Sequence, residues 1–421
     1  MMAEFIKNSV CEGVTFSYMA ETRFKNSRQG VTLIVPISRE TAAANALLSC
    51  VLTRSCKKYP DFYSLNRKLN SMYGAALFPS VRRIGDYQAL TIAVSGLDDR
   101  YTLDNEKISA QLAELLSMIM FEPNIVDGHF NDEDIEQERR QLIESIDAEF
   151  SEKRTYAIRR CVNIMCADER YSIGRYGSRD DVKAVTHKQL TDAWEKLLKE
   201  AQVELTLVGS ADPEYALKGF SEYFGNSPRK PKRVAPQDVH PTQVRHITET
   251  EELSQSKLVM GFRCAYSDDD VMTIESSILS SILGGMPTSK LFTNVREKQS
   301  LCYYCTSSID GNKGIMLIDS GVETDNLEKT EKAILEQVDM LKRGNISDSE
   351  LEDAKLAVKN SFKSLMDSPS AMQADYLGSI MKKNPLSPLE AAQVADSVTK
   401  ERIIELSQKI ELDTVFSLVG N

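Results

Sequence analysis

Four histidines and eight cysteines are the side chains of this 421-residue sequence best suited to holding a metal ion or attacking a carbonyl. The histidines are His129, His187, His240 and His246, and no two of them stand four residues apart. No helix can therefore present two imidazoles on one face, the arrangement that holds a zinc ion together with a reactive water. Any zinc site would have to be composite, assembled from ligands far apart in the chain. Cys302 and Cys305 form a C-x-x-C, but a regular strand points those side chains to opposite faces, and no second C-x-x-C exists to complete a four-thiolate site. Cys161 and Cys166 fall in an apparent helix and read as core thiols. There is no G-x-S-x-G elbow and no Walker-type phosphate loop, and Gly284-Gly285 alone is a helix stop. The residues thus predict no metal site and no cofactor.

The elements around these residues are legible from periodicity. In Ser277 to Ser308, Ile274, Ile278 and Ile282 continue an apolar helix face from upstream, with Ser276, Ser277, Ser280 and Ser281 between them, small enough to let the helix lie close on a sheet. Gly284 and Gly285 end it and Pro287 forbids its resumption. A second amphipathic helix carries Leu291, Phe292 and Val295, and Leu301 to Ser308 reads as a strand. Earlier in the chain, Gly30–Ser38 reads as a buried strand, Ala42–Leu52 and Tyr63–Tyr73 as helices, and Ala75–Val81 and Tyr87–Ser95 as strands. Asn105–Met120 is an amphipathic helix, Asn131 the N-cap of a long acidic-start helix, Thr186 with Gln189 a capping box, and Gln202–Gly209 a strand.

The second half repeats this order. Lys257–Phe262 answers Thr32–Pro36, Thr273–Leu283 answers Ala42–Leu52, and Leu317–Gly321 answers Ile92–Gly96. Ser347 with Glu350 answers Asn131, and Phe416–Gly420 answers Leu205–Gly209. The offset stays between roughly 210 and 226 residues, which marks a tandem duplication of one large unit. Residues 1–225 then form an N-terminal half and 248–421 a C-terminal half, with 226–247 a proline-rich, semi-rigid linker. Strands mixed with long helices, without strict βαβ alternation, give an α+β class.

Composition narrows the function. With 42% hydrophobic and 27% charged residues the chain is globular, and its net charge of −11 argues against nucleic acid. The one basic run, Arg229-Lys230-Pro231-Lys232-Arg233, sits among prolines and reads as solvated linker. No run from Met1 to Arg23 suits a signal peptide and no segment could span a bilayer, so reduced thiols in a cytoplasm are expected.

Gly284-Gly285, Ser289-Lys290-Leu291-Phe292, Val295-Arg296-Glu297-Lys298 and Leu301-Cys302-Tyr303, in that order, resemble the C-terminal-half signature of the insulinase/pitrilysin family of zinc peptidases, which includes the mitochondrial processing peptidases. The resemblance covers essentially the whole chain. It implies two homologous α+β halves closing like a clamshell around a peptide chamber. It also implies an H-x-x-E-H motif on the first long helix, whose two histidines bind zinc while the glutamate serves as general base. Lys57-Lys58-Tyr59-Pro60 resembles the motif's usual flank. Counting back from it puts Ala46 and Cys50 where the histidines belong and Ser49 where the base belongs. On the next motif helix Glu138 is in place, but the ligand position seven residues on, just before Ile146, is Ser145. Glu144 beside it points about 100° away on a helix. All three ligands and the base are missing. Arg296 and Tyr303 match the arginine and tyrosine that, in active relatives, reach the substrate and the carbonyl under attack.

The resemblance therefore implies a metal-free, catalytically inactive subunit that binds peptide and works beside an active zinc-bearing paralogue, as a heterodimer, or that forms a homodimer. A peptide-binding or scaffold protein with no peptidase role is the alternative. An independent enzyme using Cys50 as nucleophile would want a histidine base, and none lies in the first helix pair.

Overall fold

The computed structural model describes residues 5–225, 228–235, 237, 239–265 and 268–420. They sort into two compact units. One comprises residues 1–148, 173–235 and 368–375, the other 149–172, 236–367 and 376–421.

The first unit is built on a six-stranded sheet containing β1 (Ile6–Cys11), β2 (Val14–Ala20), β3 (Asn26–Pro36), β4 (Ala76–Ile84) and β5 (Tyr87–Leu97). A short hairpin of β6 (Ile125–Val126) and β7 (His129–Phe130) stands apart, and β8 (Gln202–Gly209) returns to the sheet. The spatial order is β1-β2-β8-β3-β5-β4. Residues 29–35 of β3 are buried without interruption, which explains why this strand reads as a continuous apolar run rather than an alternating one. Within it Thr32 and Thr91 share a buried hydroxyl–hydroxyl bond of 2.9 Å across the β3–β5 ladder. Against the sheet lie α1 (Ala42–Val51) and α3 (Ile108–Phe121); α2 (Phe62–Ser71) and the long α4 (Asp132–Ser151), whose last residues enter the second unit, complete this run of helices. The helix α5 (Lys153–Met165) belongs wholly to the second unit, after which α6 (Arg179–Ala184), α7 (His187–Glu200) and α8 (Pro213–Phe224) complete the first. The caps fall where the sequence places them. Asn131 Oδ1 accepts from the Glu133 and Asp134 amides, and Thr186 with Gln189 forms a reciprocal capping box.

The second unit repeats the arrangement with β9 (Arg245–Glu251), β10 (Ser256–Arg263), β11 (Cys302–Asp310), β12 (Ile315–Val322) and β13 (Glu411–Gly420) in the order β11-β12-β10-β13-β9. Strand β10 runs antiparallel to β12 and β13, and β13 parallel to β9. In the first unit β3 runs antiparallel to β5 and β8, and β8 parallel to β2. Each pairing of the second sheet has its counterpart in the first, which adds only the outer β1–β2 pair, so the duplication read from the sequence is a duplication of topology, and the class is α+β. The helices are α9 (Asp270–Ser280), α10 (Leu327–Lys342), α11 (Asp348–Leu365), α12 (Pro369–Ser379), α13 (Pro388–Ser397) and α14 (Lys400–Gln408). No helix among the described residues is long and apolar enough to cross a membrane.

The units do not follow chain order throughout. In each copy the helix after the long helix is given up: α5 follows α4 but packs on the second unit's sheet, and the first half of α12 follows α11 but belongs to the first unit. Ala157 and Cys161 of α5 share a small core with Val259, Phe416 and Leu418. A Cβ at Gly261 would come within 2.7 Å of Met165 Sδ, so the strand glycine is what lets α5 lie this close. In the first unit Gln373 of α12 accepts from Arg28 Nε at 2.6 Å and donates to Thr206 Oγ1 at 2.5 Å.

In the basic run 229–233 Lys230, Lys232 and Arg233 are exposed, but the run is tied to the first unit and Arg229 is not solvated. Arg229 is buried, stacks on the Phe224 ring and donates to the carbonyls of Leu198 and Ala201 at the end of α7. Lys230 and Lys232 amides donate to the carbonyls of Lys199 and Glu200, each at 2.9 Å. The end of α7 offers unsatisfied carbonyls, and a guanidinium neutralises them better than water can. Asn226 and Pro236 of the proline-rich segment lie outside the described residues.

Candidate functional site

Nine of the ten residues of α1 are buried, because the helix packs on β4, β5 and α7, with Leu47, Leu48 and Val51 in the main core. Ala46 is fully buried. Ser49 is 3% exposed and turns its hydroxyl back to the Ala46 carbonyl at 2.8 Å. Below it is a small apolar hollow walled by Leu33, Leu48, Leu52, Leu90 and Ile92. Cys50 is half-buried. Burial, reinforced by the Glu138 carboxylate and opposed by the Ser49 bond, pushes its thiol up to about 11. Such a thiol is protonated at neutral pH and is neither a nucleophile nor a ready ligand. Ser145 lies two turns beyond Glu138, exposed, with its hydroxyl bonded to the Gln141 carbonyl of its own helix at 2.9 Å.

A residue that sequence reasoning passed over fills this place electrostatically. Arg54, four residues after Cys50, sets its guanidinium 3.3 Å from Asp134 and 3.5 Å from Glu138, over the Phe62 ring at 4.0 Å. Ser55 donates to the other Asp134 oxygen at 2.7 Å. Burial raises the Glu138 carboxyl above its ordinary range; Arg54 opposes the rise and Asp134 adds to it. Two acids of α4 thus face a permanent cation from the end of α1.

This geometry predicts that rebuilding the motif carries a structural cost without activity. Ala46→His with Ser49→Glu and Cys50→His would force an imidazole into a filled core and a carboxylate beside an apolar hollow. The expected loss is roughly 2–5 kcal/mol of stability, read as a fall in melting temperature. No peptidase activity should appear from the triple change alone, because Ser145 offers no third, carboxylate ligand. A folded triple variant that is active with Ser145 unchanged would show the placement of the carboxylate position to be wrong.

The second-half motif occupies the close contact between α9 and β11. Ser280 and Ser307 hydroxyls lie 3.0 Å apart, and Ser307 donates to the Ser280 carbonyl at 2.7 Å, so the small residues do bring helix to sheet. Gly284 is more than a helix stop: a Cβ there would stand 2.7 Å from the Ser307 amide nitrogen. Residues Ser281–Gly285 and Leu291–Lys298 are wound in wide turns, a rare geometry that recurs at functional sites. Arg296 closes the second of these, its guanidinium 3.2 Å from Glu297 and 4.4 Å from the Phe292 ring, with the side chain 37% exposed. Ser300 then turns the chain with φ +51°, a left-handed conformation unusual for a residue with a Cβ.

Strand β11 begins with a bulge. Cys302 pairs with Val322 but Tyr304 with Gly321, so Tyr303 is the extra residue. The bulge throws Tyr303 outward, 60% exposed, with its phenol donating to the Glu323 carboxylate; that bond raises the phenol above its ordinary range. The same extra residue corrects the expectation for the cysteines. Cys302 and Cys305 lie opposite Val322 and Ser320, two residues apart on β12, and therefore share a face. Both are free thiols. The Cys305 thiol first of all, with the Ser320 hydroxyl and Arg296 assisting against burial, brings Cys302 down to about 7, while Cys305 is driven up. Cys161 and Cys166 are fully buried, as their helical pattern predicted.

Comparison with known proteins agrees with these features. Residues 184–358 match the family described as peptidase M16 inactive domain. The chain is 28% identical over 416 residues to the probable inactive metalloprotease YmfF of Bacillus subtilis (strain 168), covering 97% of this chain and 96% of that one. It is 24% identical over 212 residues to the uncharacterized zinc protease YmxG of the same organism, covering 50% of this chain and 51% of that one. A crystal structure of a conserved protein from Enterococcus faecalis V583 superposes with a TM-score of 0.90 at 27% identity, covering 99% of both chains. The chain is thus a homologue of the M16, or insulinase/pitrilysin, peptidases, of the non-catalytic type that lacks the H-x-x-E-H motif.

Proposed function

We propose that this chain is a non-catalytic subunit, free of metal at the motif position, that binds peptide and completes the work of a zinc-bearing M16 paralogue. What carries the reading is a contrast between two places. At the motif position Ala46 and Ser49 are core residues, and Arg54 holds the remaining acids. In the second-half motif Arg296 and Tyr303 keep exposed side chains paired with the surface acids Glu297 and Glu323, one on a wide-turn helix and the other on a bulge. A guanidinium grips a peptide carbonyl or carboxylate in two-pronged fashion, and a phenol donates to a developing oxyanion. Bacillus subtilis (strain 168) holds both a relative named probable inactive and one named a zinc protease, which supports pairing of two such chains.

The test is reconstitution. The purified chain should turn over no peptide alone, and a zinc-bearing M16 chain from the same genome should gain turnover when the two are mixed. If the zinc-bearing chain is equally active without this one, the subunit reading fails and the scaffold reading takes its place.

A further inference from the structure

We propose that the first unit carries a surface site for a divalent first-row transition ion, built from His129, Asp132 and His187. One donor atom from each of the three lies within 4.8 Å of the others. Both imidazoles approach the same carboxylate oxygen, with Nδ1 of His129 and of His187 each 3.6 Å from Asp132 Oδ1. The two rings sit 5.1 Å apart, centre to centre, tilted by 36°. This set is unrelated to the degenerate motif. Asp132 opens α4, whereas Ser145 lies roughly 20 Å further along the same helix at 1.5 Å per residue.

Three rigid devices of backbone bring the donors together. His129 stands on β7 directly after the turn Asp127-Gly128, both residues with positive φ (+52° and +84°), the Asp-Gly turn that a two-residue hairpin requires. Asp132 is held one residue inside α4 by the Asn131 cap, and His187 one residue inside α7 by the Thr186–Gln189 box. Thr191, one turn after His187, donates to the Gly128 carbonyl at 3.3 Å and fastens α7 to the hairpin turn. The three attachment points are fixed while the side chains, 40%, 68% and 43% exposed, stay free to close on an ion. Donors around zinc at about 2.0–2.1 Å stand about 3.4 Å apart in a tetrahedron, so closure asks for a shift of about 1 Å. His129 Nδ1 donates to the Phe130 carbonyl at 2.9 Å, a bond that ligation through Nδ1 replaces.

Two imidazoles and one carboxylate suit zinc, cobalt, nickel or copper rather than magnesium or calcium, which take all-oxygen sets. The positive ends of α4 and α7 oppose a cation here, and the acids Asp132, Glu133 and Asp134 in the first turn of α4 offset them. Three protein ligands leave a fourth position to water.

The test uses the full chain stripped with chelator and titrated with CoCl2, followed by visible d–d absorption and then displaced with ZnCl2. One Co²⁺ should bind per chain, and His129→Ala and His187→Ala should each weaken binding by roughly tenfold or more. His240→Ala and His246→Ala should leave the isotherm unchanged. ZnCl2 should raise the melting temperature of the wild type but not of the His129→Ala/His187→Ala double variant. Because all three side chains are partly exposed, circular dichroism should show the variants folded. Absence of saturable Co²⁺ binding, or an unchanged isotherm in the double variant, would overturn the site.

Discussion

Asp413→Asn is expected to remove roughly 3–5 kcal/mol from the stability of the second unit, a change of shape so small that only charge can account for it. Asp413 is 1% exposed on β13. It accepts from Arg263 Nε at 3.0 Å, from Arg245 Nη2 at 2.5 Å and from Thr414 Oγ1 at 2.8 Å. Arg263 reaches on to Glu169 at 2.6 Å, and Lys313 Nζ lies 2.9 Å from the other Glu169 oxygen. Three bases therefore face two acids, all but Arg245 buried, and removing one acid leaves an excess of two positive charges there. The network also joins the segment after α5 to the sheet, since Arg245 and Arg263 both donate to the Met165 carbonyl. Urea or thermal unfolding measures the loss. A second variant isolates its cause: Asp413→Leu with Arg263→Met removes a base along with the acid and should be less damaging than Asp413→Leu alone. Strictly additive losses would show that burial of shape, not balance of charge, sets the cost.

The same network sets a pH dependence. Burial pushes Glu169 up, but the bonds from Arg263 and Lys313 outweigh it, and the carboxyl ends below its ordinary value. A carboxyl depressed in the folded state contributes stability that is complete above its unfolded pKa of about 4.3 and is lost as pH falls through the folded value. The acid limb of the stability curve should therefore flatten in Glu169→Gln, on a lower plateau at neutral pH.

Periodicity and capping chemistry are local, and what depended on them was legible. The strands around β3, β5, β8 and β10, the caps at Asn131, Thr186 and Ser347, and the duplicated topology all follow from residues within a few positions of one another. What escaped is non-local or turns on a single inserted residue. The bulge at Tyr303 leaves no mark on composition, yet it reverses the side chains before it and puts Cys302 and Cys305 on one face. The convergence of His129 with His187 needs the two caps at Asn131 and Thr186 to be neighbours, which the 57 residues between the histidines conceal. The Asp127-Gly128 pair was the one local hint, a hairpin signal beside a histidine. Burial of Arg229 depends on the carbonyl end of α7 lying beside the basic run. The residue types at 46, 49, 50 and 145 were read directly from the sequence, whereas the pairing of Arg54 with Asp134 and Glu138 required the approach of α1's end to α4.

Arg296→Ala and Tyr303→Phe should each lower the peptidase kcat of the reconstituted pair by about 10²-fold or more, the effect of losing a donor that acts in the transition state. The expectation rests on the proposed pairing with a zinc-bearing chain. Neither side chain is committed to the fold. Tyr303 is the outward residue of a bulge, with Glu323 as its hydroxyl's partner, and Phe keeps its ring. Arg296 pairs with its own neighbour Glu297 and lies on Phe292, contacts worth at most about 1 kcal/mol at a surface. Melting temperatures should accordingly stay within a few degrees of wild type, because surface changes of this kind are usually small. Arg296→Lys separates charge from geometry. A lysine keeps the positive charge but not the planar fork, so it should restore little of the lost kcat if the guanidinium grips a carbonyl in two-pronged fashion. Turnover must be measured with this chain saturating, so that weaker assembly is not mistaken for weaker chemistry. Wild-type kcat in both variants would remove the site-completing role and leave a subunit that holds its partner without touching the reaction.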